Sequence, residues 1–298
     1  MRWTRDYSPQ PEVSRLYRQA LIITVAGNVL LAASKGVVAF LSGSVALYAD
    51  AANSVSDVVY SFLMVFGLYI AQRPPDLSHP QGHSRFEPLV GLMVTASMAF
   101  AGYEAARAAV ERFLQGGAAI EPGLPMAVLL FSALAKAGMF LVIRRIATQL
   151  SSPTLATTAR DHISDVLTSL AAFIGTLGSS LVHPLADPLA GALVALWIFR
   201  AAFMAGQENL AFLTGAGASV ELRQQMVEVA SSVPGVQRVH HTMTEYVGPR
   251  LVVDLHVNVN GKMTLDDAHV ISDEIIRRLE ELPEVDRVYV HVEPEGYD

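Results

Sequence analysis

Six long apolar runs separated by short polar breaks fill the first two thirds of the chain, at residues 16–41, 45–70, 86–113, 124–150, 155–182 and 185–210. A helix needs about 20 residues to cross the hydrocarbon core of a bilayer, so the pattern predicts six transmembrane helices. Ser42-Gly43-Ser44 leaves room only for a tight hairpin between the first two. Arg73-Pro74-Pro75-Asp76 stops the second helix, and His183-Pro184 separates the last two.

Beyond Glu221 the pattern changes. Residues 220–231 have helical spacing, while 237–246 and 250–258 alternate as strands around a Gly248-Pro249 turn. The alternation is clearest in Leu251-Val252-Val253-Asp254-Leu255-His256-Val257. Thr264 is placed to cap a helix over 265–282, with Asp266 and Asp267 in its first turn, and 285–292 alternate again. The expected fold class is an α-helical membrane protein with six transmembrane helices and a C-terminal cytoplasmic α/β domain of order α-β-β-α-β. Its expected parts are a cytoplasmic N-terminal segment (1–15), a transmembrane domain (16–213) and the α/β domain (214–298).

Charge sharpens this picture. Only 16% of the 298 residues are charged, against roughly 25% in soluble domains, and the charges crowd into the last third. The net charge of -7 comes without a basic stripe, so no nucleic-acid partner is expected. With no cysteine, any metal site must use carboxylate, imidazole or amide donors. The first apolar run is too long for the core of a cleavable leader. Arg2, Arg5, Arg15 and Arg18 precede the first helix, Arg73 and Arg85 flank the loop after the second, and Arg144 and Arg145 end the fourth. The first and fifth connections hold no Lys or Arg. This bias puts both termini in the cytoplasm, with Arg107 and Arg112 near the third connection as exceptions, accompanied by Glu104, Glu111 and Glu121.

Carboxylates at membrane depth mark functional sites. Asn53 and Asp57 lie at i, i+4 in the second helix, and Asp161 and Asp165 at i, i+4 in the fifth, so each pair shares a helix face. Together the two helices offer four oxygen-bearing side chains to one ion. Asn53 alone reads equally well as a hydrogen bond between helices. Three carboxylates do not, because like charges need a cation or proton between them. Lys35 and Lys136 offer an alternative source of neutralising charge. Asp50, one turn from Asn53, and Asp187 sit near helix ends and read as boundary residues. His162 points about 100° away from Asp161 and is left outside the site.

These features resemble the cation diffusion facilitator family, and its manganese-exporting branch in particular. Gly43-Ser44-Val45-Ala46-Leu47 followed by Ala49-Asp50-Ala51 is similar to the family's entry to helix two. Gly82-His83-Ser84-Arg85-Phe86-Glu87 resembles its entry to helix three, and Ala268-His269 fits its tail helix. The resemblance implies a homodimeric exporter, not an enzyme, that exchanges a cytoplasmic divalent metal for protons. It places Asn53, Asp57, Asp161 and Asp165 in the transport site, Asp76, His79 and His83 in a loop metal site, and His240, His256, His291 and Glu293 in a cytoplasmic cluster, with His241 and His269 as alternative members. The metal is substrate and possible regulator, and no cofactor is implied. Zinc-moving members usually carry histidine where this chain has Asn53 and Asp161, and an all-oxygen site suits Mn²⁺. Fe²⁺ and Zn²⁺ are the competing ions, and a membrane-bound metal sensor is the competing function. The His-Glu-x-x-His spacing of a metalloprotease is absent.

Overall fold

The computed structural model describes residues 3–4, 10–42, 45–116 and 124–296, without the side chains of residues 42, 45–50, 52–53, 124–125, 176–177 and 180–181. Arg2, Arg5, Gly43, Ser44, Glu121 and the side chains of Asp50 and Asn53 therefore lie outside the described residues. Two compact units form, Met1–Leu210 and Ala211–Asp298.

The first unit is built from six helices: α1 (Pro11–Ser42), α2 (Val45–Ala71), α3 (Phe86–Leu114), α4 (Leu124–Leu150), α5 (Pro153–Leu181) and α6 (Ala186–Leu213). Helix α1 starts five residues before the apolar run because Pro11 suits the first helical position, where no amide hydrogen is needed. Among the described residues five stretches are long and apolar enough to cross a membrane: Pro11–Leu41, Ser54–Ala71, Phe86–Leu114, Met126–Leu150 and Ala186–Leu213. Helix α5 falls short because Arg160, Asp161, His162 and Asp165 interrupt it. It packs against both α3 and α4, which shields those groups.

Helix α1 shows how the unit is organised. Its buried positions are Tyr17, Ala20, Thr24, Asn28, Leu31, Lys35 and Ala39, spaced by three or four residues. Its outer face is Ile22, Leu30, Val37 and Phe40. Apolar side chains thus face outward while polar ones point in, the arrangement required where the solvent is hydrocarbon. Tight packing replaces the hydrophobic effect between such helices. On α3, a Cβ at Gly91 would fall 1.8 Å from Asn209 Oδ1 on α6, so only glycine fits. The amide of Asn209 donates to Thr157 Oγ1 on α5 at 2.7 Å.

Two buried carboxylates tie the helix ends. Glu87 opens α3 and accepts hydrogen bonds from Tyr17 Oη at 2.7 Å and from Ser152 Oγ, linking α1, α3 and the cap of α5. Ser152 in turn accepts from the Leu155 amide, and Thr154 Oγ1 donates to the Glu87 carbonyl. At the other end Asp187 of α6 pairs with Arg112 of α3 at 2.7 Å. That pairing accounts for one of the two arginines that broke the charge asymmetry.

The second unit runs α7 (Val220–Ser231), β1 (Val236–Val247), β2 (Arg250–Val259), α8 (Leu265–Glu280) and β3 (Val285–Pro294). Strand β2 is central, antiparallel to β1 and parallel to β3. Leu251, Val253, Leu255 and Val257 are fully buried and meet Met226 and Ala230 of α7 and Ile271, Ile275 and Leu279 of α8. Thr264 caps α8 by accepting from the Asp267 amide, and its hydroxyl donates back to the Asp267 carboxylate. Helix α8 stops two residues before the expected limit, with Arg277 and Arg278 in its last turn. Both arginines pair with Glu274, whose carboxyl their hydrogen bonds hold down at about 2.

Replacing Glu87 with Ala removes the carboxylate that accepts from the buried Tyr17 and Ser152 hydroxyls. The expected cost is about 2 kcal/mol or more, measurable as a lower melting temperature of the detergent-solubilised protein.

Candidate metal centres

At mid-helix, α2, α4 and α5 bring three carboxylates and one ammonium together. Lys136 Nζ of α4 lies 3.0 Å from Asp57 Oδ2 and 2.6 Å from Asp165 Oδ2. Asp161, one turn before Asp165, offers an oxygen within 4.8 Å of a ligand atom from Asp165 and one from His162. Asp57, Asp161 and Asp165 thus converge as the spacing predicted, and a positive charge already sits between the two helices. Lys136 is that charge, one of the two candidates named from the sequence. Asn53 lies one helical turn before Asp57, its side chain outside the described residues.

His162 departs from the sequence reading. It is fully buried, and both ring nitrogens are without hydrogen-bond partners among the described residues. It lines a cavity of 20 Å³ with Thr24, Asn28, Asp57, Tyr60, Ser61 and Asp161. A 100° offset separates neighbours on a helix, but a cavity between several helices reaches both. The readable signal was on α1, where Thr24, Asn28 and Lys35 form a polar stripe at helical spacing.

In the loop between α2 and α3, Asp76 faces two imidazoles. His79 Nδ1 is 3.5 Å from Asp76 Oδ1, and His83 Nε2 is 3.4 Å from Asp76 Oδ2. Ligand atoms about 2.0–2.1 Å from a tetrahedral ion stand about 3.3 Å apart, so the spacing suits one small ion. The amides of Ser78 and His79 donate to Asp76 Oδ1 and hold the turn. The His79 amide bond, then the nearby imidazoles, keep the Asp76 carboxyl below its ordinary value. His83 is buried against Phe86, so one donor is fixed while Asp76 and His79 remain exposed.

On the sheet face opposite the core, Glu293 of β3 is the hub. His240 Nε2 lies 3.0 Å from Glu293 Oε2, His291 Nε2 lies 3.2 Å from Oε1, and His256 Nδ1 lies 3.9 Å from Oε1. His240, His256 and Glu293 present ligand atoms within 4.8 Å of one another. His291 touches Glu293 without joining that triad. His241, His256 and His291 stand opposite one another across the three strands, and the His241 and His256 rings are 4.7 Å apart. His269 is exposed on α8 beside Asp273 and takes no part. Strand β1 has an irregularity between Val239 and His241. This bulge lets two successive histidines face the same side.

Residues 21–214 match the family model of the cation efflux transmembrane domain, and residues 218–295 match that of the cation efflux protein cytoplasmic domain. The chain belongs to the cation efflux family, the cation diffusion facilitators, and is a multi-pass membrane protein. It is 34% identical over 279 residues to an uncharacterized transporter of Methanocaldococcus jannaschii, covering 94% of this chain and 99% of that one. It is 27% identical over 277 residues to the manganese efflux system protein MneS of Bacillus subtilis, covering 92% and 94%. A solved C-terminal domain of MamM aligns with a TM-score of 0.25 at 26% identity, covering 25% of this chain and 96% of that one.

The loop geometry makes Asp76 the shared donor. With the other sites intact, Asp76→Asn is expected to remove about one equivalent of tightly bound metal, read by calorimetric titration of the purified protein.

Proposed function

We propose that the chain exports a divalent metal ion from the cytoplasm, with Mn²⁺ as favoured substrate, in exchange for protons. Asp57, Asp161 and Asp165 hold the ion, joined by Asn53. The convergence of Asp57 and Asp165 on the Lys136 ammonium carries this reading, because it marks a position built for positive charge between α2 and α5. An all-oxygen donor set suits Mn²⁺ better than zinc, and MneS, whose name records manganese efflux, is a full-length relative. Fe²⁺ and Zn²⁺ are the competing substrates.

The mechanism follows from exclusion. A metal ion and an ammonium cannot share the same carboxylate oxygens, so metal entry drives Lys136 out of the pair. A carboxylate lone pair likewise holds a proton or a metal, not both, so protons arriving from the far side expel the ion. Lys136 returns as the ion leaves, which keeps the buried carboxylates compensated at each stage. Both termini face the cytoplasm by the distribution of Arg, and the C-terminal unit joins two copies of the chain. The His240–His256–Glu293 cluster gives that unit a metal-sensing role and supports the second reading, a membrane-bound sensor.

Uptake into inside-out proteoliposomes under a proton gradient distinguishes these readings. Gradient-dependent Mn²⁺ uptake exceeding that of Fe²⁺, Zn²⁺, Co²⁺ and Cd²⁺, and lost in Asp57→Ala and Asp165→Ala, is expected. Preference for Zn²⁺ overturns the selectivity argument, and no uptake of any metal leaves the sensor ahead. Lys136→Met removes the internal competitor. It is expected to tighten Mn²⁺ binding about tenfold, or about 1.4 kcal/mol, while slowing turnover, since no ammonium returns to help expel the ion.

A further inference from the structure

The cavity beside the transport carboxylates holds more unused donor chemistry than packing requires. Among the described residues, Thr24 Oγ1, Asn28 Oδ1 and both ring nitrogens of His162 are buried with no hydrogen-bond partner. All three side chains line the same 20 Å³ cavity, with Asp57 and Asp161 in its wall. Buried polar groups are almost always paired, so several orphans around one space indicate a missing occupant.

The free acceptor on Asn28 is fixed by its neighbours. Ser61 Oγ donates to the Asp57 carbonyl at 2.7 Å, so its oxygen accepts from Asn28 Nδ2 at 2.8 Å. The amide nitrogen is therefore committed to Ser61, and Oδ1 is left for the cavity.

Size and charge narrow the occupant. One water needs about 10–15 Å³, so a cavity of 20 Å³ has room for a small particle beside these donors. Two carboxylates border it, and the Lys136 ammonium beside them is engaged by Asp57 and Asp165. A cation is favoured over a neutral molecule. Tyr60, Ser61 and Met64 follow Asp57 along α2, and Thr158 precedes Asp161 on α5. With the termini in the cytoplasm, the cavity lies on the cytoplasmic side of the transport carboxylates.

We infer that this cavity is a second metal position, an entry station where a divalent cation sheds its water and binds Asn28 Oδ1, Thr24 Oγ1, a ring nitrogen of His162 and the shared carboxylate of Asp161. The inference rests on the export reading above and extends it. While Lys136 occupies the carboxylates of Asp57 and Asp165, an incoming ion waits here. It moves on when the ammonium gives way. The imidazole and the Asn28 amide make the station unlike the all-oxygen transport site, so nitrogen contact that depends on Asn28 and not on Asp165 is its signature.

The test uses a full-length variant in which His162 is the one histidine left, the other eight being replaced by Gln. Pulsed electron paramagnetic resonance of bound Mn²⁺ is expected to show nitrogen coupling from an imidazole. The coupling disappears when His162→Gln or Asn28→Leu is added and survives Asp165→Ala. Because Asp165 also presents an oxygen within 4.8 Å of His162, coupling lost with Asp165 but kept in Asn28→Leu assigns the nitrogen contact to the transport site and overturns the inference. Coupling that persists without His162, or Mn²⁺ binding with no nitrogen coupling, overturns the inference and assigns the cavity to water. Uptake assays on the same variant separate the two readings. Uptake abolished by Asp165→Ala, with no nitrogen coupling, leaves export standing and the entry station refuted. If Mn²⁺ does not bind at all, both fall.

Discussion

Ions placed at membrane depth must compensate one another, because hydrocarbon supplies neither water nor counter-ions. The pairing of Lys136 with Asp57 and Asp165 answers this constraint, and much of the first unit follows from it. Three helices must meet to bring the charges together. The most polar helix, α5, must lie against α3 and α4. Helix α1 must turn its Thr24, Asn28 and Lys35 inward and give its bulky apolar residues to the outside. Glu87 and Asp187 apply the same rule near the helix ends, each finding partners on neighbouring helices.

Much of this was legible in the sequence. Apolar runs located the helices to within a few residues because stretches of twenty or more mostly apolar positions have few other uses. The paired spacing of Asp161 and Asp165 identified a shared face because helical geometry leaves little freedom. Relations between helices were not legible. His162 was set aside on a rule valid within one helix, but its surroundings are set by α1 and α2. The sequence also offered two lysines as counter-charges without saying which would pair directly with the carboxylates. That Lys136 does depends on the packing of α4 against α5, which no local pattern records.

The second unit divides its strands cleanly between two tasks. Alternation in β2 sends Leu251, Val253, Leu255 and Val257 into the core and leaves Asp254, His256 and Asn258 on the other face. Strength and chemistry are thus separable. Substitutions on the polar face leave the apolar contacts of α7 and α8 untouched, so the histidines can be exchanged without opening the core.

The bulge in β1 gives that cluster an unusual dependence. Strand β1 uses 12 residues where its partner β2 uses 10, and the surplus is taken up at two irregular steps, at Gln237 and His240. The side of the sheet on which each histidine emerges is therefore set by a count of residues as much as by identity. A chain retaining every histidine but missing Val239 would let His240 take its place opposite Val257, restore a regular ladder there and send His240 and His241 to opposite faces. The histidine face is written partly in chain length, a kind of information that comparing residue types position by position overlooks.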